Sequence, residues 1–173
     1  MNSYTAGIIV IGDEILSGRT QDSNSNFIAK NLIKEGIKLE EIVVIKDNKK
    51  TIIDRVLNYS SKYSYVFTTG GIGPTHDDIT SESISEAFNL KYVINEDAFN
   101  ILEKYYPKGE FNESRQRMAK MPTGSELLLN PMTAAPGFRI KNVYVLPGVP
   151  EIMQIMFLEL IKKIKKGKPK LLI

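Results

Sequence analysis

Short β-branched runs alternate with amphipathic stretches along the first half of the chain, and this alternation limits the possible folds more than any other feature. Strands spaced by helices in this way build a largely parallel sheet covered by helices on both faces. Thr5 to Gly12 reads as a first strand, apolar almost throughout, as a central strand buried on both faces would be. From about Ser23 to Glu35, the side chains of Phe27, Ile28, Leu32 and Ile33 share one helical stripe, and Gly36 supplies the stop. Leu39 to Lys46 returns as a strand. Lys49 to Lys62 follows as a helix with Ile52, Ile53, Val56 and Leu57 on one face, and Tyr63 to Thr69 is the third strand. Two βαβ passes are complete by residue 69. Because such crossovers are right-handed, the carboxyl ends of the strands gather on one edge, where open α/β sheets bind ligands.

Beyond residue 78 the pattern predicts a helix over Thr80 to Phe88 and another capped by Asn95, with Glu96 and Asp97 in its first turn. A third helix is expected from Glu113 to Met121, stopped by Pro122. Short strands follow at Glu126 to Leu129, Phe138 to Ile140 and Val143 to Leu146, and a long helix over Glu151 to Lys166 closes the chain. The expected architecture is a three-layer α/β/α sandwich, Rossmann-like in character, with a mostly parallel sheet. A length of 173 residues suits a single domain, here residues 1–166, with 167–173 as a short basic tail.

The chain has no cysteine, which excludes thiol nucleophiles, disulfide frameworks and thiolate metal sites. Its net charge of +3 is local in origin. Six of the 23 basic residues fall between Lys162 and Lys170, leaving a mildly acidic body of 17 basic against 20 acidic residues. Lysines closing a terminal helix favour its dipole and keep a tail soluble, so no nucleic-acid or membrane partner is expected. The N-terminal MNSYTAGIIVIGDE has no basic leader and only a short apolar run, and a cytoplasmic location is expected.

Chemistry should reside at the strand ends. Thr68-Thr69-Gly70-Gly71-Ile72-Gly73-Pro74-Thr75-His76-Asp77-Asp78 follows a strand and precedes a helix. Glycines at 70, 71 and 73 let backbone amides turn toward an anion without a Cβ in the way, and the next helix start adds partial positive charge. The loop is neither a P-loop nor a dinucleotide fingerprint. As a purely structural feature it would be a tight connection. At the end of the first strand, Gly12-Asp13-Glu14-Ile15-Leu16-Ser17-Gly18 sets two carboxylates beside a glycine turn, able to hold a divalent cation or a ribose hydroxyl, with Ser17 as a further donor. A solvated acidic loop is the plainer reading. Acids at three strand ends, Asp13 with Glu14, Asp47, and Asp77 with Asp78, favour a shared site. Leu146-Pro147-Gly148-Val149-Pro150 forms a rigid turn at a fourth strand end, where Pro150 suits the first turn of a helix.

GDEILSG followed by Asp22-Ser23-Asn24, then TTGGIGPTHDD, NPMTAAPGF and LPGVP, in this order, resembles the molybdopterin-binding MoaB/Mog family, and most closely the N-terminal domain of the CinA family. The resemblance covers residues 5 to about 160. It implies a three-layer α/β/α domain that binds a small phosphorylated pterin or nucleotide, commonly as a homo-oligomer. The CinA-like branch is associated with metal-dependent hydrolysis of ADP-ribose. By motif position, Asp13, Asp47 and Asp78 would be the catalytic acids, with Asp13 and Asp78 holding a Mg²⁺, Mn²⁺ or Co²⁺ ion. Gly12, Glu14, Ser17, Thr69, Gly70, Gly71, Gly73, Pro74, Thr75, Asp77, Pro147 and Gly148 would contact the ligand, which in the alternative reading is molybdopterin bound without hydrolysis. CinA relatives often read Asn-Pro-x-Gly-Thr-Ala-Pro-Gly where this chain has Thr133 and Ala134 in place of the Gly-Thr pair. The deamidase-like second domain of full-length CinA proteins has no counterpart here, and its activity is not carried over.

Overall fold

A computed structural model describes residues 3–168, and within them the strand–helix alternation expected from the sequence is realised. In chain order the elements are β1 (Tyr4–Ile11), α1 (Asp13–Leu16), α2 (Asn24–Lys34), β2 (Ile37–Ile45), α3 (Lys49–Lys62), β3 (Tyr65–Thr69) and α4 (Thr80–Ala87). They continue with β4 (Tyr92–Ile94), α5 (Glu96–Tyr105), α6 (Glu113–Gln116), a 3-10 turn (Arg117–Ala119), β5 (Lys120–Pro122), β6 (Glu126–Leu128), β7 (Gly137–Ile140), β8 (Val143–Leu146) and α7 (Pro150–Ile161). The main sheet has six strands in the order β2-β1-β3-β8-β7-β6. Strands β2, β1, β3 and β8 run parallel, and β7 and β6 are added antiparallel at one edge.

Period-two alternation sends neighbouring residues of β1 to opposite layers. Ile9 and Ile11 join Val66, Val143 and Val145 beneath Ile52 and Val56 of α3 and Ile84 of α4. Ala6, Ile8 and Val10 join Phe67 and Leu146 beneath Ile28 and Leu32 of α2 and Met153 and Phe157 of α7. Both faces of the sheet are therefore dry, which explains why its central strands read as continuous apolar runs. No helix among the described residues is long and apolar enough to cross a membrane.

Register aligns the strand ends. Ile11 lies opposite Ile45, Val10 opposite Thr69, and Thr69 opposite Leu146. From β1 the chain crosses to β2 on one side and then to β3 on the other, so the direction of winding reverses between β1 and β3. Such a reversal opens a crevice at the carboxyl edge, because the two following loops diverge.

The second half departs from expectation in three places. The helix expected over Glu113 to Met121 is only one turn, followed by the 3-10 turn and β5. Met121 precedes Pro122, which disfavours helical backbone at that residue, and Lys120–Pro122 pair antiparallel with β4 in a small second sheet that the sequence reading did not anticipate. The last helix stops at Ile161 instead of Lys166. There the Tyr65 hydroxyl donates to the Lys165 carbonyl at 2.8 Å, and Lys166 pairs with Glu35 at 2.9 Å, which draws the chain back along the body. Gly167 and Lys168 lie against Gly36; the rest of the proposed tail, 169–173, is outside the described residues.

Candidate functional site

The carboxyl ends of β1, β3 and β8 frame a cleft of about 480 Å³. Its floor is the glycine loop after β3. Gly70 and Gly71 both have positive φ, at 96° and 75°, and a Cβ on either would run into the Ile11 carbonyl or the Thr80 hydroxyl. Their carbonyls are turned away from the cleft and tied down: Gly70 O accepts from Thr80 Oγ1 and Gly71 O from Thr80 N, both at 3.0 Å. The Gly70 amide donates to Leu146 O at 3.0 Å, locking the loop to the end of β8. The next three amides, of Gly71, Ile72 and Gly73, donate to no acceptor among the described residues, and all three residues line the cleft. Three successive N–H groups of this kind form a concavity that favours an anion.

Asp78 closes the loop. Its Oδ2 accepts from Thr75 N at 2.9 Å and from Thr75 Oγ1 at 2.8 Å, and it packs so tightly over Gly73 that a Cβ there would lie 2.8 Å from the same oxygen. Asp13 and Asp47 are linked reciprocally across the ends of β1 and β2, each amide donating to the other's carboxylate, at 3.1 and 3.2 Å. Asp47 titrates above the ordinary carboxylate range: burial is the main cause, and the charges of Asp13, Glu14 and Asp78 add to it. Asp13, Glu14 and Asp78 thus share one electrostatic neighbourhood with Asp47, from which Asp77 of the sequence-marked acids is missing.

Of the ligand-contacting residues expected from sequence, Glu14, Gly70, Gly71, Gly73, Pro147 and Gly148 line the cleft, together with Asp78. Gly12 is buried beneath it, its amide donating to Ile45 O at 3.0 Å. Thr69 faces a smaller pocket alongside. Asp13, Asp47, Ser17, Pro74, Thr75 and Asp77 do not line the cleft. Ser17 donates to the Glu14 carbonyl and accepts from Arg19, while Asp77 projects into solvent beside His76. Among the described residues no group of three His, Asp or Glu side chains could hold a metal ion unaided.

Other lining residues have no role assigned from sequence, although Asn130 to Pro136 stand within the NPMTAAPGF motif. Met118 reaches the cleft because the segment expected to be helical turns instead. Asn130 stands at the head of the NPMTAAPGF loop, 7% exposed, accepting from Met132 N and Thr133 N and donating to Thr133 Oγ1 and Ala135 O. That amide knots the loop so that Thr133, Ala135 and Pro136 form one wall. Asn-Pro followed by Pro-Gly was the available signal, since those pairs mark turns in which the asparagine side chain bonds nearby backbone.

A three-layer α/β sandwich with a glycine loop at its winding reversal has the architecture in which open sheets bind small ligands at their carboxyl edge. A sequence model of the family described as a probable molybdopterin binding domain matches residues 7–166. The crystal structure of the protein CinA, described as of unknown function, from Thermoplasma acidophilum superposes with a TM-score of 0.88 at 32% identity, covering 94% of this chain and 99% of that one. A protein of Archaeoglobus fulgidus is 39% identical over 93% of this chain and 69% of its own length. A CinA-like protein of Sulfurihydrogenibium is 36% identical over 94% of this chain but only 43% of its own length. The tungsten cofactor synthesizing protein MoaB from Pyrococcus furiosus shares the fold, with a TM-score of 0.58 at 22% identity over 94% of this chain and 92% of that one. The chain belongs to the molybdopterin-binding domain family and is a CinA-like member of it.

Proposed function

We propose that this domain binds a phosphorylated pterin or nucleotide with its phosphate on Gly71–Gly73, and that it hydrolyses a nucleotide pyrophosphate such as ADP-ribose with a divalent cation. The observation that carries the reading is the run of three amides without an acceptor among the described residues, at a cleft that Asp78 and Glu14 also line.

The donor set suits a cation completed by the ligand. Mg²⁺-like ions are commonly held by one or two carboxylates together with substrate phosphates and water, and Asp78 and Glu14 supply two carboxylates in the cleft. Asp13 and Asp78 would hold the ion, whose chemistry is to polarise the phosphate for attack by water. The loop amides stabilise negative charge as it builds on the phosphate oxygens, without having to reorient. Asp47 stands outside the cleft lining and would act through Asp13, which it holds by the paired amide–carboxylate bonds at the ends of β1 and β2.

A second reading, a pterin-binding module without hydrolase activity, is favoured by the apolar wall of Ile72, Pro147, Val149 and Ile152, which suits a flat heterocycle. One experiment separates the two. ADP-ribose is incubated with the protein and Mg²⁺, Mn²⁺ or Co²⁺, and the products AMP and ribose 5-phosphate are measured. Cleavage that Asp78→Asn abolishes, with melting cooperativity retained, supports the hydrolase. A wild type inert with every cation, yet stabilised thermally by a pterin phosphate, supports the module.

A further inference from the structure

Glu14, Thr20, Gly148 and Pro150 line both the main cleft and a side pocket of about 50 Å³ near the start of α2. Two nearly inaccessible polar residues stand in its wall, Thr69 at 1% and Asn24 at 6% exposure. Asn24 Nδ2 donates to the Gly148 carbonyl at 2.9 Å, which fixes the amide and leaves Oδ1 as its acceptor. That Oδ1 and Thr69 Oγ1 are both buried, and neither has a partner among the described residues. Buried polar atoms in native proteins are nearly always hydrogen-bonded, so two orphans in one pocket mark a place where another molecule completes them.

The kind of molecule follows from the inventory. Oδ1 of Asn24 can only accept, Thr69 Oγ1 can accept, and the carboxylates of Glu14 and Asp22 line the same walls. Thr20, Gln21 and Ser23 line the pocket as well and carry donors of their own, and the Thr69 hydroxyl can donate as well as accept. Because Asn24 Oδ1 can only accept, a ligand group that completes it must donate, and the Thr69 hydroxyl can turn to accept from the same group. Its volume exceeds the roughly 10–15 Å³ that one water needs, leaving room for a hydroxyl-bearing fragment or the edge of a ring.

We propose that this side pocket is a specificity subsite in which Asn24 Oδ1 and Thr69 Oγ1 accept hydrogen bonds from O–H or N–H groups of the ligand. Those groups are either the hydroxyls of a ribosyl unit or the N–H edge of a heterocycle. The inference rests on the reading of Gly71–Gly73 as the phosphate cradle, which would place the donor group beside a bound phosphate.

Titration calorimetry of the intact chain uses inorganic pyrophosphate, AMP, 2′,3′-dideoxy-AMP and 6-hydroxymethylpterin as probes. Thr69→Val keeps the side-chain shape and removes the oxygen. It is expected to lower the affinity for AMP or for the pterin, relative to that for pyrophosphate, by about 10-fold, the usual size of one lost hydrogen bond, with Thr69→Ser restoring it. A matching loss for wild type on going from AMP to the dideoxy nucleotide assigns the pocket to ribosyl hydroxyls; a loss confined to the pterin assigns it to the ring edge. If Thr69→Val lowers the melting temperature of the free protein while leaving both affinity ratios unchanged, the oxygens serve a structural water and the proposal is overturned. It is equally overturned if neither AMP nor the pterin binds. If pyrophosphate fails to bind but Thr69→Val still weakens AMP or the pterin, the phosphate-cradle reading falls and the subsite stands.

Discussion

The Asp13 amide donates to the Asp47 carboxylate and the Asp47 amide to the Asp13 carboxylate, so two like charges are held together by the backbone that positions them. The arrangement pins the ends of β1 and β2 to each other and has a cost. Asp47 is partly desolvated and faces Asp13, Glu14 and Asp78, which together disfavour its ionised form.

The sign of the pH dependence follows. A carboxyl whose folded-state pKa lies above its ordinary 3.8 binds more proton folded than unfolded, so the stability it contributes is complete below 3.8 and is lost as pH rises through the folded value. Ionised Asp47 therefore weighs against the fold at neutral pH. Asp47→Asn keeps an acceptor for the Asp13 amide and removes the charge. It is expected to raise the melting temperature at pH 7 by about 1–3 °C, with the gain fading toward pH 3.5. Melting curves in chelator across that range check this, and an equal gain at both ends would rule out the electrostatic cause.

Gly71 tests the cradle. It sits at φ 75° with the Thr80 side chain where a Cβ would go, so Gly71→Ala meets both backbone strain and a collision. A left-handed conformation alone costs a non-glycine residue about 1–2 kcal/mol, and displacing Thr80 also breaks the bond that turns the Gly70 carbonyl away from the cleft. The variant should melt several degrees lower and lose pyrophosphate binding. A stability loss with binding intact would mean that the loop amides do not meet the phosphate.

The strand-end site was legible in sequence where backbone chemistry dictates residue type. Glycines 70, 71 and 73 and Asp78 line the cleft and stand out in sequence because a turn and a charged strand end each require particular residues, whereas Asp13 and Asp47, marked on the same grounds, stand outside its lining. Asn24, Ala135 and Pro136 stand in motifs that the sequence offers, but their roles, like that of Met118, which no motif marks, depend on which segments tertiary packing brings together. The small β4–β5 sheet was missed for a related reason: three-residue strands are too short to show a period, and Glu113 to Met121 reads as helix until its pairing partner is known.

Ala134 carries a local energetic cost. It adopts φ 66°, a left-handed conformation in the loop knotted by Asn130, where its amide donates to Asn130 O at 3.1 Å. Ala134→Gly removes the strain and gives back part of the gain as unfolded-chain entropy. A net stabilisation of about 0.5–1 kcal/mol is expected from chemical denaturation, with the transition slope unchanged. A destabilised variant would show that the loop relieves the strain by another route.

The lysine-rich end of the chain read as a solvated tail, and the structure argues for a different experiment. Gly36, which ends α2 at φ 70°, lies so close to the backbone of Gly167 and Lys168 that a Cβ on it would collide with both. A Cβ on Gly167 would collide in turn with Gly36 O. The two glycines meet backbone to backbone, braced by the ion pair of Lys166 with Glu35 and by the hydroxyl of Tyr65 on Lys165 O. Gly36→Ala therefore has two components in the intact chain: the conformational cost of positive φ and the displacement of Gly167 and Lys168. In a chain truncated after Lys166 only the first remains. A double-mutant cycle on melting or denaturation free energies should give a coupling of about 0.5–3 kcal/mol between Gly36→Ala and the truncation, the range found for groups in contact. Because Lys166 and Glu35 are each about a third exposed, raising the salt concentration should alter this coupling little. Additive effects would mean that Gly167 and Lys168 do not hold their place against Gly36 in solution, and that the expectation of a solvated tail was right.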